Sequence, residues 1–319
     1  MLLRLSACLL LCLCSLSVRA ESVLLTSIKP LQLIAAAVQD GVGTPDVLLP
    51  AGASAHHYAL RPSDMRRIEA AQLFYWVGPD LETFLTRVVD SRRAPSLAVQ
   101  TVPGLHLRHY GETLEEHAAH AGHDDHSDDH HHPADLHHHE HDHDHRPGSL
   151  DAHLWLLPAN ARLIAARMAS DLAGVDPANA ARYQANLRGF EQRLDELDQR
   201  LRTRLAPLAG KPYFVFHEAY DYFESAYGLR HLGVVSLGEV QPGARHVAAM
   251  RERLQQAGPA CLFNEPPQRP RLAETLTAGL PVRLAELDAM GDGLKPDANG
   301  YERLVGNLGE QLADCLQAF

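Results

Sequence analysis

Short apolar runs with strand character recur along the first part of this chain, at 22–28, 46–49, 73–77 and, more weakly, 97–102. Helical segments stand between them. Pro30 sits at a first helical position and opens a helix that Gly41 ends, another starts near Ser63, and a third covers 81–89. The alternation resumes after Pro207 and Gly210. Strands are predicted at 213–216, 231–235, 261–264 and 282–287, and helices at 220–227, 245–256, 271–278 and 301–316. Strand–helix alternation of this kind predicts the α/β class, with two lobes of βα repeats, mainly parallel sheets, and helices on the sheet faces.

Between the two alternating halves the period changes. Residues 159–172 read as a helix closed by Gly174, and Asp176-Pro177 then supplies an N-cap and a first-turn proline for another. Tyr183, Leu187, Phe190, Leu194, Leu197, Leu201 and Leu205 recur at spacings of three and four, with acids and bases on the other faces. One such stripe predicts a helix of about thirty residues, roughly 45 Å long. We take it as a spine between lobes, because a coiled-coil dimer needs more heptads; the expected state is a monomer. The chain then divides into a leader (1–20), a first lobe (21–158), a helical linker (159–209) and a second lobe (210–319). Ligands of open α/β sheets bind off the carboxyl ends of strands, so the cleft between the lobes is the expected site.

Charge changes this picture at one place. The formal net charge of −11 belongs to a single stretch: 111–145 holds eleven Asp and Glu, thirteen histidines and no Lys or Arg. Without apolar periodicity the insertion, 111–146, is expected to be disordered in the absence of metal. No basic face remains for nucleic acid. The first twenty residues combine Arg4, an apolar run and a small terminal residue, as a signal peptide cleaved after Ala20 does. The run is too short for a membrane anchor, and Cys8 is too near the start for a lipoprotein box. Removing the leader leaves Cys261 and Cys315, which in an exported chain read as one disulfide or, alternatively, as two buried thiols. The disulfide would stabilise by roughly 4 kcal/mol.

His56 or His57, His153, His217 and Asp288 each follow a strand-like run or lie in a loop next to one, so strand ends of both lobes would aim them into the cleft. Three neutral imidazoles and a carboxylate suit tetrahedral Zn²⁺ at about 2.0–2.2 Å; Mn²⁺ would favour more carboxylate. Asp151, two residues before His153, is a candidate to orient a ligand imidazole through its second nitrogen, and Glu265 is a candidate group behind the ligands near the cleft. His106, His109, His231 and His246 are expected to be ordinary surface or core residues. Two other classes fit parts of this pattern. A secreted zinc hydrolase would use a three-histidine site with an open position, although no nucleophile motif or paired base is present. A metal store would act through the insertion alone.

The segments GASAHHYALRPSD, DAHLWLLPANAR, FVFHEAYDYFESAYGL and LDAMG resemble the signature segments of the metal-binding proteins of ABC transporters, in their zinc-specific periplasmic branch. The likeness runs from about Val23 to Leu316 and includes the histidine–acid insertion. It implies metal ligands at His56, His153 and His217, a carboxylate ligand at Asp288, and a disulfide between Cys261 and Cys315. Histidine at the third position is similar to zinc members, where manganese members commonly have a carboxylate. Ala55 removes the glutamate that some relatives place beside the first ligand, and His57 falls on a variable, outward-facing position. The resemblance further implies Zn²⁺ as transported ligand, small lobe movements, and a membrane permease with its cytoplasmic ATPase as partners. The insertion would collect zinc near the cleft or sense its excess.

Overall fold

Strands of two to five residues cannot hold a sheet alone, and in this protein parallel pairing and helix cover supply the rest. The structure is a computed structural model that describes residues 23–111, 148–236, 243–266 and 271–319. The expected leader, 1–20, and all but Gly111 of the insertion expected at 111–146 lie outside the described residues.

In the first half β1 (Leu24–Thr26), β2 (Asp46–Val47), β3 (Leu73–Trp76) and β4 (Ser96–Ala98) form one sheet in the order β2-β1-β3-β4. In the second, β5 (Tyr213–His217), β6 (Val234–Ser236), β7 (Ala260–Asn264) and β8 (Val282–Glu286) form another in the order β6-β5-β7-β8. Every pairing is parallel, as the βα alternation demands. In both sheets the first strand in sequence lies between the second and the third. The connections therefore leave in opposite directions between β1 and β3 and between β5 and β7, which is where such sheets open a crevice at their carboxyl ends.

The helices are α1 (Lys29–Val38), α2 (Pro62–Ala70), α3 (Thr86–Ser91), α4 (Pro158–Val175), α5 (Ala180–Leu205), α6 (Asp221–Tyr227), α7 (Ala244–Ala257), α8 (Arg271–Thr277) and α9 (Gly300–Leu316). None of the described helices is long and apolar enough to cross a membrane. The spine is α5, a helix of 26 residues, about 39 Å at 1.5 Å per residue. Its buried side chains are Tyr183, Leu187, Phe190, Leu194, Leu197, Leu201 and Leu205, the stripe of the sequence pattern. They pack on α1 and α4 from one side and on α9 from the other, and α1 touches α9 directly. The approach of α5 to α9 needs a glycine: a Cβ at Gly309 would lie 2.4 Å from Leu201 Cδ2. One hydrophobic core consequently runs through both halves, from Leu24 to Leu316. A smaller cluster lies under α7 and α8, with Phe214 and Leu262 at its centre.

Two expectations on helix boundaries are corrected. Gly174 lies inside α4, which runs on to Val175. Its exposed, solvent-side position makes the helix-interior cost of about 1 kcal/mol tolerable. The segment expected as a helix from 81 begins as a 3-10 turn, Thr83–Leu85, before α3. Cys261 and Cys315 form a disulfide that fastens β7 to the end of α9.

Candidate metal centre

The cleft is built from four chain segments. His217 is the last residue of β5, and Asn264 ends the neighbouring β7, so Glu265 stands next to His217 at the crevice of the second sheet. His153 leads into a 3-10 turn, Leu154–Leu156, whose apolar side chains are all buried. His56 comes from the loop after β2, where Ser54 Oγ accepts the backbone N–H of His56 at 3.1 Å and of His57 at 2.9 Å. That turn directs His56 inward, 7 % exposed, and leaves His57 on the outside.

The three imidazoles converge. Ring centroids are 5.6 Å apart for His56 and His153, 5.5 Å for His56 and His217, and 5.0 Å for His153 and His217. One donor nitrogen from each lies within 4.8 Å of the other two. Tetrahedral coordination at zinc–nitrogen distances sets nitrogens about 3.4 Å apart, so a small inward movement of the rings produces a binding geometry. The surrounding cleft has a volume of about 500 Å³ and is lined by Lys29, Trp155 and Glu265 besides the histidines. Hydrogen bonds tie its walls across the lobes: Trp155 Nε1 donates to the Ala289 carbonyl at 3.0 Å, the Tyr301 hydroxyl to the Trp155 carbonyl at 2.7 Å, and Gly52 N–H to Asp292 at 2.8 Å.

Asp288 is not brought into this group of donors. Its Oδ1 accepts the backbone N–H of Met290 at 2.9 Å and of Gly291 at 2.8 Å, an Asx turn. Gly291 has φ +70°, and a Cβ there would meet Leu294 and Leu304 at 3.1 Å. The LDAMG segment thus spells a turn in which one oxygen of Asp288, Oδ1, is taken by the backbone.

Two carboxylates stand behind the imidazoles. Asp151, 1 % exposed, lies with Oδ1 2.8 Å from His153 Nδ1. Burial pushes its carboxyl up to about 7, against the pull of the His153 backbone N–H and the Tyr110 hydroxyl. Glu265 Oε1 lies 3.3 Å from His217 Nδ1 and 2.9 Å from the Tyr220 hydroxyl. Burial alone would raise its carboxyl, but His217, Tyr220 and His153 together hold it below the usual carboxylate value.

Among the described residues a second group of possible donors contains Asp221, Glu224 and His231. His231, expected to be an ordinary residue, holds Nδ1 at 2.9 and 3.0 Å from the two Glu224 oxygens, and the Tyr213 hydroxyl donates to Glu224 Oε1 at 2.6 Å. Its placement had no sequence signal, because β6 precedes β7 in the chain yet pairs on the far side of β5. His246, also expected to be an ordinary residue, sits with Nε2 2.8 Å from the Val235 carbonyl.

Paired parallel sheets, a shared helical core and a donor-lined crevice between them define a class, the two-lobed substrate-binding proteins. Solved structures with the same fold include a substrate-binding protein FpvC from Pseudomonas aeruginosa in complex with Mn²⁺ (TM-score 0.73, 19 % identity, covering 93 % of this chain and 99 % of that one). A crystal structure of ZnuA is similar at TM-score 0.70 and 19 % identity, covering 92 % of this chain and 98 % of that one. In sequence, the High-affinity zinc uptake system protein ZnuA of Yersinia pestis is 38 % identical over 303 residues, 93 % of this chain and 92 % of the relative. The protein of the same name from Brucella abortus (strain 2308) is 36 % identical over 317 residues, 91 % and 90 % of the two chains. The model of the family described as ZnuA, zinc-uptake complex component A, periplasmic, matches residues 24–315, and the chain belongs to that family.

Proposed function

We propose that this protein binds Zn²⁺ with high affinity in the cleft and delivers it, in the periplasm, to an inner-membrane ABC permease driven by a cytoplasmic ATPase. The observation that carries the reading is the convergence of His56, His153 and His217 from separate chain segments onto one point. An all-nitrogen donor set favours zinc over manganese, which prefers oxygen. Zinc is cargo here, and the protein acts as a binding protein and not an enzyme. The three histidines are the proposed ligands. Water is the proposed fourth donor in place of Asp288, whose Oδ1 already accepts two backbone N–H groups. Export would use residues 1–20 as a cleaved signal, the working form would be a monomer, and the insertion would collect zinc for the cleft.

Metal content and zinc titration of the protein, with and without residues 112–146, test this. One tight zinc per chain in both forms is expected, with the additional weak sites present only in the form that keeps the insertion. Tight binding that disappears with the insertion and survives substitution of all three histidines would replace the reading with a store acting through the insertion. A preference for Mn²⁺ over Zn²⁺ would move the cargo to manganese.

A further inference from the structure

His153 and His217, the ligands contributed on either side of the spine, are backed by carboxylates in the same manner. Asp151 Oδ1 lies 2.8 Å from His153 Nδ1 and also accepts the backbone N–H of His153 at 3.0 Å. The Tyr110 hydroxyl donates to that oxygen at 3.2 Å. Glu265 Oε1 lies 3.3 Å from His217 Nδ1, with the Tyr220 hydroxyl at 2.9 Å. A carboxylate at Nδ1 keeps the imidazole proton there, turns the Nε2 lone pair outward and raises its basicity.

We propose that Asp151 and Glu265 are the positioning residues of the centre: each grips the Nδ1 of one histidine so that the Nε2 atoms of His153 and His217 face a common ion, and Tyr110 locks Asp151 in place. This rests on the zinc reading above. The two carboxylates reach the centre from different lobes, so each side of the cleft arrives with its ligand already oriented. Asp151 is the more firmly held. Its shorter contact to Nδ1, its bond to the His153 backbone and its bond to Tyr110 fix its Oδ1 from three directions, whereas among the described residues Glu265 Oε1 meets Tyr220 and His217. Tyr110 also marks the root of the insertion. Its N–H donates to the Ser149 carbonyl at 2.9 Å and its carbonyl accepts Gly148 N–H at 2.7 Å. The orientation of a ligand imidazole and the two chain ends from which 112–147 departs are therefore set by one residue.

The test measures zinc affinity by chelator competition for the unaltered protein and for Asp151→Asn, Asp151→Ala, Glu265→Gln and Tyr110→Phe, with ¹⁵N spectra of the His153 ring in the metal-free state. Loss of an outer partner of a ligand histidine typically costs ten- to hundredfold in metal affinity. Asp151→Ala is expected at the upper end, Asp151→Asn and Glu265→Gln about tenfold, and Tyr110→Phe a few-fold. The Nδ1-protonated form of His153 should dominate in the parent and give way in Asp151→Ala. Should Asp151→Ala not fold, Tyr110→Phe and Asp151→Asn carry the same comparison. Affinity within twofold of the parent in both Asp151→Asn and Glu265→Gln overturns the inference and leaves the zinc reading standing. A loss of affinity in Asp151→Ala with an unchanged His153 tautomer also overturns it, because that pattern belongs to general loosening of the fold. A parent that takes up no zinc in the cleft overturns both.

Discussion

Two groups of three side chains in the described part of this protein have donor atoms close enough to hold an ion, and they differ in what those donors do without one. In the cleft, His56, His153 and His217 offer three nitrogens, and the outer nitrogens of His153 and His217 face carboxylates behind them. In the other group, Glu224 accepts from both His231 and Tyr213, so the donors are turned on each other. An ion entering there must first displace the His231–Glu224 contact. Proximity of donors is the same in the two groups; the direction of their lone pairs is not. That direction decides whether a cluster binds cargo or stabilises the fold.

The largest expected effect breaks the first group. His56→Ala, His153→Ala or His217→Ala should each weaken tight zinc binding by a thousandfold or more, about 4 kcal/mol. His153→Ala also strips the partner from buried Asp151 and should lower the melting temperature of the metal-free protein, so the titration is read at a temperature where each variant is folded. His231→Ala, measured in parallel by the same competition titration, should leave the tight site within twofold of the parent. Equal losses in His153→Ala and His231→Ala would erase the distinction between the groups.

The next effect inverts the readout. Glu224→Ala strips a buried carboxylate from His231 and Tyr213, whose polar atoms then have no equivalent acceptor. Breaking a buried pair from one side costs about 3 kcal/mol. Urea unfolding of the metal-free protein should show that loss, and the tight zinc affinity should not move. A variant with unaltered unfolding midpoint and weakened zinc would mean that the second group serves the cleft and not the fold.

How legible each group was in the sequence follows from the kind of signal it leaves. The stripe from Tyr183 to Leu205 predicts α5 because burial on one helix face imposes its own period. His153 and His217 stand out because each terminates or borders an apolar run, and strand ends face the crevice. Asp288 stands in the same relation to β8, yet its carboxylate takes the backbone of Met290 and Gly291. A turn aspartate and a ligand aspartate leave the same letters, so position after a strand does not separate them. Glu265 shows the converse. Its contact with His217 follows from β5 lying beside β7, and the strand order β6-β5-β7-β8 is a consequence of how crossovers pack. Asp221 and Glu224 are three apart on α6 and share a face by helical spacing, whereas His231 joins them only through the turn of the chain after that helix.

The smallest expected effect sharpens the contrast through pH. Burial, then Glu224 and Asp151, pushes the Asp221 carboxyl up to about 6, with His231 and Arg108 pulling it back. Glu218 beside it is likewise pushed to about 6 by burial and then by Asp221. For His231 burial lowers the pKa, but the hydrogen bond and charge of Glu224, with Asp221 and Glu218, outweigh it and leave the imidazole raised. A carboxyl raised by folding keeps its proton where the unfolded chain has lost it, so stability falls as pH rises through that interval. A raised histidine contributes stability that is fully present below the unfolded value, about 6.5, and is lost as pH rises through the folded one. The three therefore act in one direction, and the metal-free protein should be more stable near pH 5 than near pH 8. Asp221→Asn removes one contribution. It should raise stability at pH 8 by about 1–2 kcal/mol, reduced somewhat because Asp221 opens α6, where the helix N-terminus favours its charge. At pH 4 it should change little. Chemical unfolding across that range checks the slope. A pH 8 gain absent from Asp221→Asn, or present equally at pH 4, would mean that burial and the charge of Glu224 do not hold this carboxyl in a strained state.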